Sequence, residues 1–178
     1  WMYWDGTNAM MPFGFQLYDL IFFDDLFGFN TGNSDIYGVS GAAAALANGW
    51  HHIAAVFSNG DVTQNQLYID GIIQTLAQQQ GTPVSQAVTA NANISGWGFS
   101  SGFKFTGNLD ELRIWNGART ADQINELMYD RLDGPLSSLI ASYSFENAVS
   151  GVDGVVDRSE NGHHGTIDRK STRLNSSH

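Results

Sequence analysis

Turn-forming residues recur along this chain about every 8–12 residues, with short aromatic and β-branched runs between them. That rhythm leaves no room for long helices and confines the chain to short antiparallel strands. Residues 17–23 and 26–29 are apolar and aromatic around Asp24-Asp25, and read as a hairpin. Residues 31–34 (TGNS) are the next turn, and residues 35–39 a short strand. Residues 50–57 (WHHIAAVF) run into a turn at 58–61, whose Asn-Gly pair is the strongest short hairpin signal. Residues 66–69, the Asp70-Gly71 turn and residues 72–76 repeat the pattern. The polar, Gln-rich stretch 78–93 reads as a long loop, and residues 109–115 (LDELRIW) alternate as one strand. Residues 42–47 fit either a loop or a turn of helix. One helix is expected near 120–131. Thr120 and Gln123 have capping-box spacing, Asp122 lies in the first turn, and Ile124, Leu127 and Met128 share a face.

Composition sets the remaining bounds. With 42% hydrophobic and 12% aromatic residues, the chain can fill a packed core. A formal charge of −10 repels phosphate backbones, so no nucleic-acid partner is expected. The same acidity attracts divalent cations as readily as it keeps a domain in solution. The absence of cysteine excludes disulfides, thiolate zinc sites and cysteine nucleophiles. No run is long and apolar enough for membrane insertion. No leader peptide is visible, and Trp1 opens in mid-strand, so a fragment of a longer protein is expected.

Past Pro135 the pattern restarts. Residues 139–145 (LIASYSF) read as a new strand, and residues 157–167 (DRSENGHHGTI) as a punctuated loop entering another. Residues 169–178 (RKSTRLNSSH) resemble a translated cloning adaptor and are left out of fold reasoning.

Three of these runs together carry a family likeness. GWHHIAAVF (residues 49–57) followed by LYIDG (residues 67–71) resembles the W-H-x-V-A strand and L-Y-x-D-G turn of the laminin-G-like, concanavalin A-like domains of bacterial surface proteins. FTGNLDELRIWNGARTADQI (residues 105–124) resembles that family's closing strand and short helix. LIASYSFEN (residues 139–147) with DRSENGHHGTI resembles its opening motif. The resemblance implies an all-β fold, a two-sheet antiparallel jelly-roll sandwich with one short helix. It also implies a tandem array. Residues 1–134 would be one domain lacking its opening strands. Residues 135–168 would begin the following repeat and could complete the sandwich, and 169–178 would be a non-native or disordered tail. A secreted or cell-surface location follows from the same likeness.

Candidate site residues fall into two groups. Trp97, Phe99 and Phe103 flank the glycine-rich loop 95–102, and exposed rings of this kind stack on pyranose faces; the plainer reading is that they plug one end of the core. For metal, calcium is the cofactor that the resemblance implies, with Asp5, Asp110, Asp157 and Asn161 as candidates. Strand alternation would put Asp110 on a face with Leu112 and Ile114, where a carboxylate pins a loop, holds calcium or accepts backbone N–H groups. Loop 95–102 has no carboxylate, which argues against a pentraxin-like double calcium site. His51 and His52 are adjacent in a strand and cannot easily chelate one ion. Asp24, Asp25 and Asp70 read as turn residues, and nothing near His163-His164 completes a metal site.

No catalysis is expected. Glycoside hydrolysis needs two carboxylates flanking one bond, whereas Asp110 and Glu111 are adjacent and would point apart along a strand. No G-x-S-x-G, P-loop or H-E-x-x-H motif occurs. The expected function is an extracellular module binding a glycan or a cell-surface or extracellular protein within a larger protein. The alternatives are a structural spacer or adhesion repeat and, third, a diverged glycoside hydrolase-like jelly roll.

Overall fold

The structure is a computed structural model and describes residues 1–98, 102–146 and 151–167. The chain divides into two compact units, Trp1–Leu109 with Thr120–Met128, and Asp110–Arg119 with the chain from Tyr129 onward.

The first unit is built from β1 (Met2–Trp4), β2 (Phe13–Phe15), β3 (Tyr18–Phe23), β4 (Leu26–Asn30), β5 (Ile36–Ser40), α1 (Ala42–Leu46), β6 (Trp50–His51), β7 (Ile53–Val56), β8 (Gln66–Ile69), β9 (Ile72–Ile73), β10 (Ala77–Gln80), β11 (Asn93–Ile94), β12 (Gly107–Leu109) and α2 (Ala121–Leu127). A six-stranded antiparallel sheet runs in the order β10-β5-β4-β3-β2-β11. Two three-stranded antiparallel sheets, β12-β1-β6 and β7-β8-β9, complete the strands of this unit.

Alternation along β3 and β4 explains the core. Tyr18, Leu20, Phe22, Phe27 and Phe29 point to one face of the large sheet, where they join Met2 and Trp4 of β1, Leu67 of β8, and Ala42 and Leu46 of α1. Sheet against sheet around one apolar layer makes a β-sandwich. Phe22 is stacked between Trp4 and Phe27, with both centroid distances 4.1 Å. Phe57 meets Phe15, Tyr18 and Phe29 edge-on at 5.0–5.3 Å. The opposite face of the sheet carries a second cluster of Met11, Ile21 and Ile36, with Phe23, Leu26, Trp97 and Phe103 packed on it.

The Asp24-Asp25 hairpin forms where the sequence marks it, and both aspartates do more than turn the chain. Asp24 takes a left-handed φ of 52° and is clasped by the Asn8 side chain. Asp25 accepts from Ala43 N–H through its carboxylate and from Ala42 N–H through its carbonyl, so it caps α1 from a distance. Residues 42–46, open in sequence, are thereby helix. Thr120 and Gln123 form both bonds of the capping box of α2. The helix ends at Leu127, short of the expected 131, and the Trp1 indole N–H satisfies the Met128 carbonyl at 2.9 Å.

Two expectations need correction. Residues 78–93 are not all loop. β10 pairs with β5 across a register shift at Gln78/Gln80, and its glutamine amides bond to the neighbouring backbone at Gly38 and Ser34. The strand expected over 109–115 is two strands. Glu111 adopts φ 47°, between a first strand that ends at Leu109 and a second that starts at Leu112 and pairs with a different partner.

The second unit contains β13 (Leu112–Trp115), β14 (Leu139–Tyr143), β15 (Gly151–Val155) and β16 (Gly165–Ile167). β13 pairs antiparallel with β14, from Leu112↔Tyr143 to Trp115↔Leu139, and β15 pairs with β16. Residues 139–143 therefore form a ladder with the strand that carries the LRIW motif. Residues 169–178 lie outside the described residues.

Candidate functional site

The loop between β11 and β12 is held on the outer face of the six-stranded sheet. Its Ser95 and Gly96 N–H groups donate to the Pro12 and Met11 carbonyls. Trp97 follows, with its indole N–H donating to the Gln16 carbonyl at 2.7 Å and its ring packed on the Met11, Ile21 and Ile36 cluster. Phe103 meets it edge-to-face at 6.3 Å and itself holds φ 59°, which is costly for an aromatic residue. The structure thus brings Trp97 and Phe103 together, both half-buried and packed on apolar side chains. Phe99 lies outside the described residues.

The same sheet holds a residue that the sequence reading passed over. Asp19 sits in the middle of β3, is 1% exposed, and neither carboxylate oxygen has a hydrogen-bond partner. Burial alone lifts its carboxyl from the ordinary carboxylate value to about 7. Its cross-strand neighbours are Gly14 on β2 and Asn30 on β4. A Cβ on Gly14 would stand 1.9 Å from Asp19 Oδ1, so the carboxylate occupies the space that glycine leaves. Asn30 is already engaged, donating to the Asp35 carbonyl and accepting from Gly32 N–H. Asn93 on β11 pairs with Gly14 and completes the row Asn93, Gly14, Asp19, Asn30 across one face.

A second aromatic pair also escaped the sequence. Tyr3 and Trp50 face each other across β1 and β6, with ring centroids 6.0 Å apart, and Trp50 is 47% exposed. Met2 and Trp4 point into the core, so alternation along β1 already directs Tyr3 outward. The aim of Trp50 depends on register with β1, which residue types do not reveal.

The carboxylate candidates are engaged by their own loops. In the first unit, Asp5 accepts from Thr7 N–H and from the Thr106 hydroxyl. In the second unit, Asp110 is half-buried and accepts from Glu111 N–H. Because the strand breaks at Glu111, alternation does not carry through Asp110, and its expected place on the face of Leu112 and Ile114 fails. Glu111 is paired with Arg113 at 3.4 Å. Asp157 is 4% exposed and accepts from Ser142, Ser159 and His163 N–H groups at 2.9–3.0 Å. Burial works against its charge, but these hydrogen bonds prevail and hold its carboxyl below the ordinary range. Asn161 belongs to the same loop and donates to the Leu139 and Ile140 carbonyls. With Asn116, Ser138 and His163, it borders a shallow depression of about 380 Å³. Three N–H groups thus take up most, though not all, of the acceptor positions of the Asp157 carboxylate. Among the described residues, no group of three or more His, Asp or Glu side chains is arranged to hold a metal ion.

His51 Nδ1 lies 2.8 Å from the Asp70 carboxylate, which also accepts from His52 N–H. Asp70 therefore fastens β6 as well as turning the β8–β9 hairpin. Among the described residues, no helix is long and apolar enough to cross a membrane.

Residues 5–125 match the model of the concanavalin A-like lectin/glucanases superfamily. A crystal structure named as a "putative carbohydrate binding protein" from Bacteroides ovatus superposes with a TM-score of 0.63 at 19% identity, over 88% of this chain and 47% of that one. This chain thus spans about half the length of that protein. No curated protein matches it. The sandwich and the 121 matched residues agree, and the chain belongs to the concanavalin A-like lectin/glucanases superfamily.

Proposed function

We propose that this chain is a non-catalytic carbohydrate-binding module of a larger secreted or surface protein. The observation that carries the reading is the Trp97–Phe103 pair, two half-buried rings meeting edge-to-face against the Met11, Ile21 and Ile36 cluster. Rings of this kind offer a π-face to the C–H patches of a sugar. The Tyr3–Trp50 pair, in which Trp50 is exposed, offers a second such surface. The superfamily's name covers glucanases as well as lectins. Here Asp110 and Glu111, the acids closest in sequence within the LDELRIW motif, are spent on a backbone N–H and on Arg113, which favours binding over hydrolysis. We also read residues 135–167 as the start of a following repeat. The β13–β14 ladder favours the form of this reading in which these residues supply missing opening strands rather than hang free, since β13 lies inside the matched region and β14 beyond it.

The test is a glycan array with the full chain, Trp97→Ala and Trp50→Ala. Binding by the wild type that either substitution weakens supports the module. No glycan bound, or hydrolysis of a bound β-glucan, overturns it, and the adhesion or spacer reading replaces it in the first case.

A further inference from the structure

A buried carboxylate without a partner weakens a fold, and among the described residues none compensates for Asp19. Both oxygens lack hydrogen bonds, and the residues opposite are a glycine and an asparagine whose amide is engaged elsewhere. An isosteric amide or an apolar side chain would serve the sheet better. Such departures mark places kept for binding rather than for stability. Trp97 is anchored on both sides of this residue. Its indole N–H holds the Gln16 carbonyl, before Asp19 in the β2–β3 turn, and its side chain packs against the cluster that includes Ile21, the next residue of β3 on the same face as Asp19. Gly98 follows, close enough to Asn93 that a Cβ there would lie 2.9 Å from the amide nitrogen. The segment carrying Trp97 thus passes over the row that contains Asp19.

We propose that Asp19 and Trp97 form one covered site for a polyhydroxyl ligand, in which the indole swings aside to stack on a sugar ring while the Asp19 carboxylate accepts hydrogen bonds from two neighbouring hydroxyls. This rests on the carbohydrate-binding reading and gives it a polar contact. A carboxylate presents two oxygens to a vicinal diol, and such charge-assisted bonds are roughly twice as strong as neutral ones. The row neighbours Asn93 and Asn30 are uncharged, so the row supplies no second carboxylate with which Asp19 could share a cation.

The experiment uses the full chain and a sugar bound by the wild type on the array. Calorimetry compares the wild type, Asp19→Asn and Trp97→Ala, with thermal unfolding as the folding control. Both substitutions should weaken binding at least about tenfold, with Asp19→Asn unfolding no earlier than the wild type. A second measurement needs no variant. Binding at pH 6 in two buffers of different ionisation heat should show nearly one proton released, because the ligand draws the carboxylate into its charged form. If Trp97→Ala abolishes binding while Asp19→Asn leaves it intact and no proton is released, the Asp19 site is refuted and the module reading stands. If the wild type binds no sugar, the module reading fails and this site with it.

Discussion

Replacing Asp19 by Asn should make this protein more stable in alkali relative to wild type, and the size of the effect follows from where the residue sits. Its carboxyl titrates near 3.8 in the unfolded chain and at about 7 in the fold, with burial as the cause. The folded state therefore holds its proton more tightly. The stability this lends is fully present below pH 4 and is lost as pH rises through about 7. Between pH 5 and pH 8 the wild type forfeits roughly two pK units' worth, on the order of 2–3 kcal/mol. Entry of water on ionisation would lower that figure. Asn cannot ionise, so whatever its amide costs is the same at both pH values. Urea unfolding at pH 5 and pH 8 isolates the term as a difference of differences, which cancels every other titrating group. If the wild type and Asp19→Asn lose stability in parallel across that range, the carboxylate is hydrated or paired, and the reasoning from its burial is wrong.

Other perturbations test the frame around it. Phe22→Ala empties the slot between Trp4 and Phe27 and should cost about 3–5 kcal/mol by urea unfolding. Asp157→Ala leaves three N–H groups of a buried loop without an acceptor and should cost about 2–4 kcal/mol. In the wild type, the contribution of Asp157 is present above the ordinary carboxylate pKa and lost as pH falls through its depressed value, so the variant should lose less stability on acidification. Thr120→Ala removes the capping box of α2 and should cost about 1 kcal/mol, read as a small drop in melting temperature.

The parts of the fold legible in the sequence were those set by neighbouring residues. The β3–β4 hairpin follows from two apolar runs around Asp24-Asp25, and the start of α2 from the Thr120–Gln123 spacing. What escaped depends on partners distant in sequence. β10 is a run of glutamines with low strand propensity, and it becomes a strand because their amides bond to the backbone around β5. Nothing in the type of residue 111 announces a left-handed Glu that splits the LDELRIW motif. Asp19 was visible as an acid inside an apolar run, but its isolation arises only when register sets it beside Gly14 and an occupied Asn30. Trp97 and Phe103 were named for their place beside glycines, and the structure joins them, while Trp50 was read simply as part of a strand.

The two margins of the six-stranded sheet carry a consequence for how this protein behaves in company. On one margin lies β10, irregular at Gln78/Gln80 and with glutamine amides folded back onto its own neighbour, and on the other lies β11, two residues long. Neither gives another chain a straight run of unmet N–H and C=O groups to zip against. A second copy of this chain thus finds no ready template along either border of this sheet.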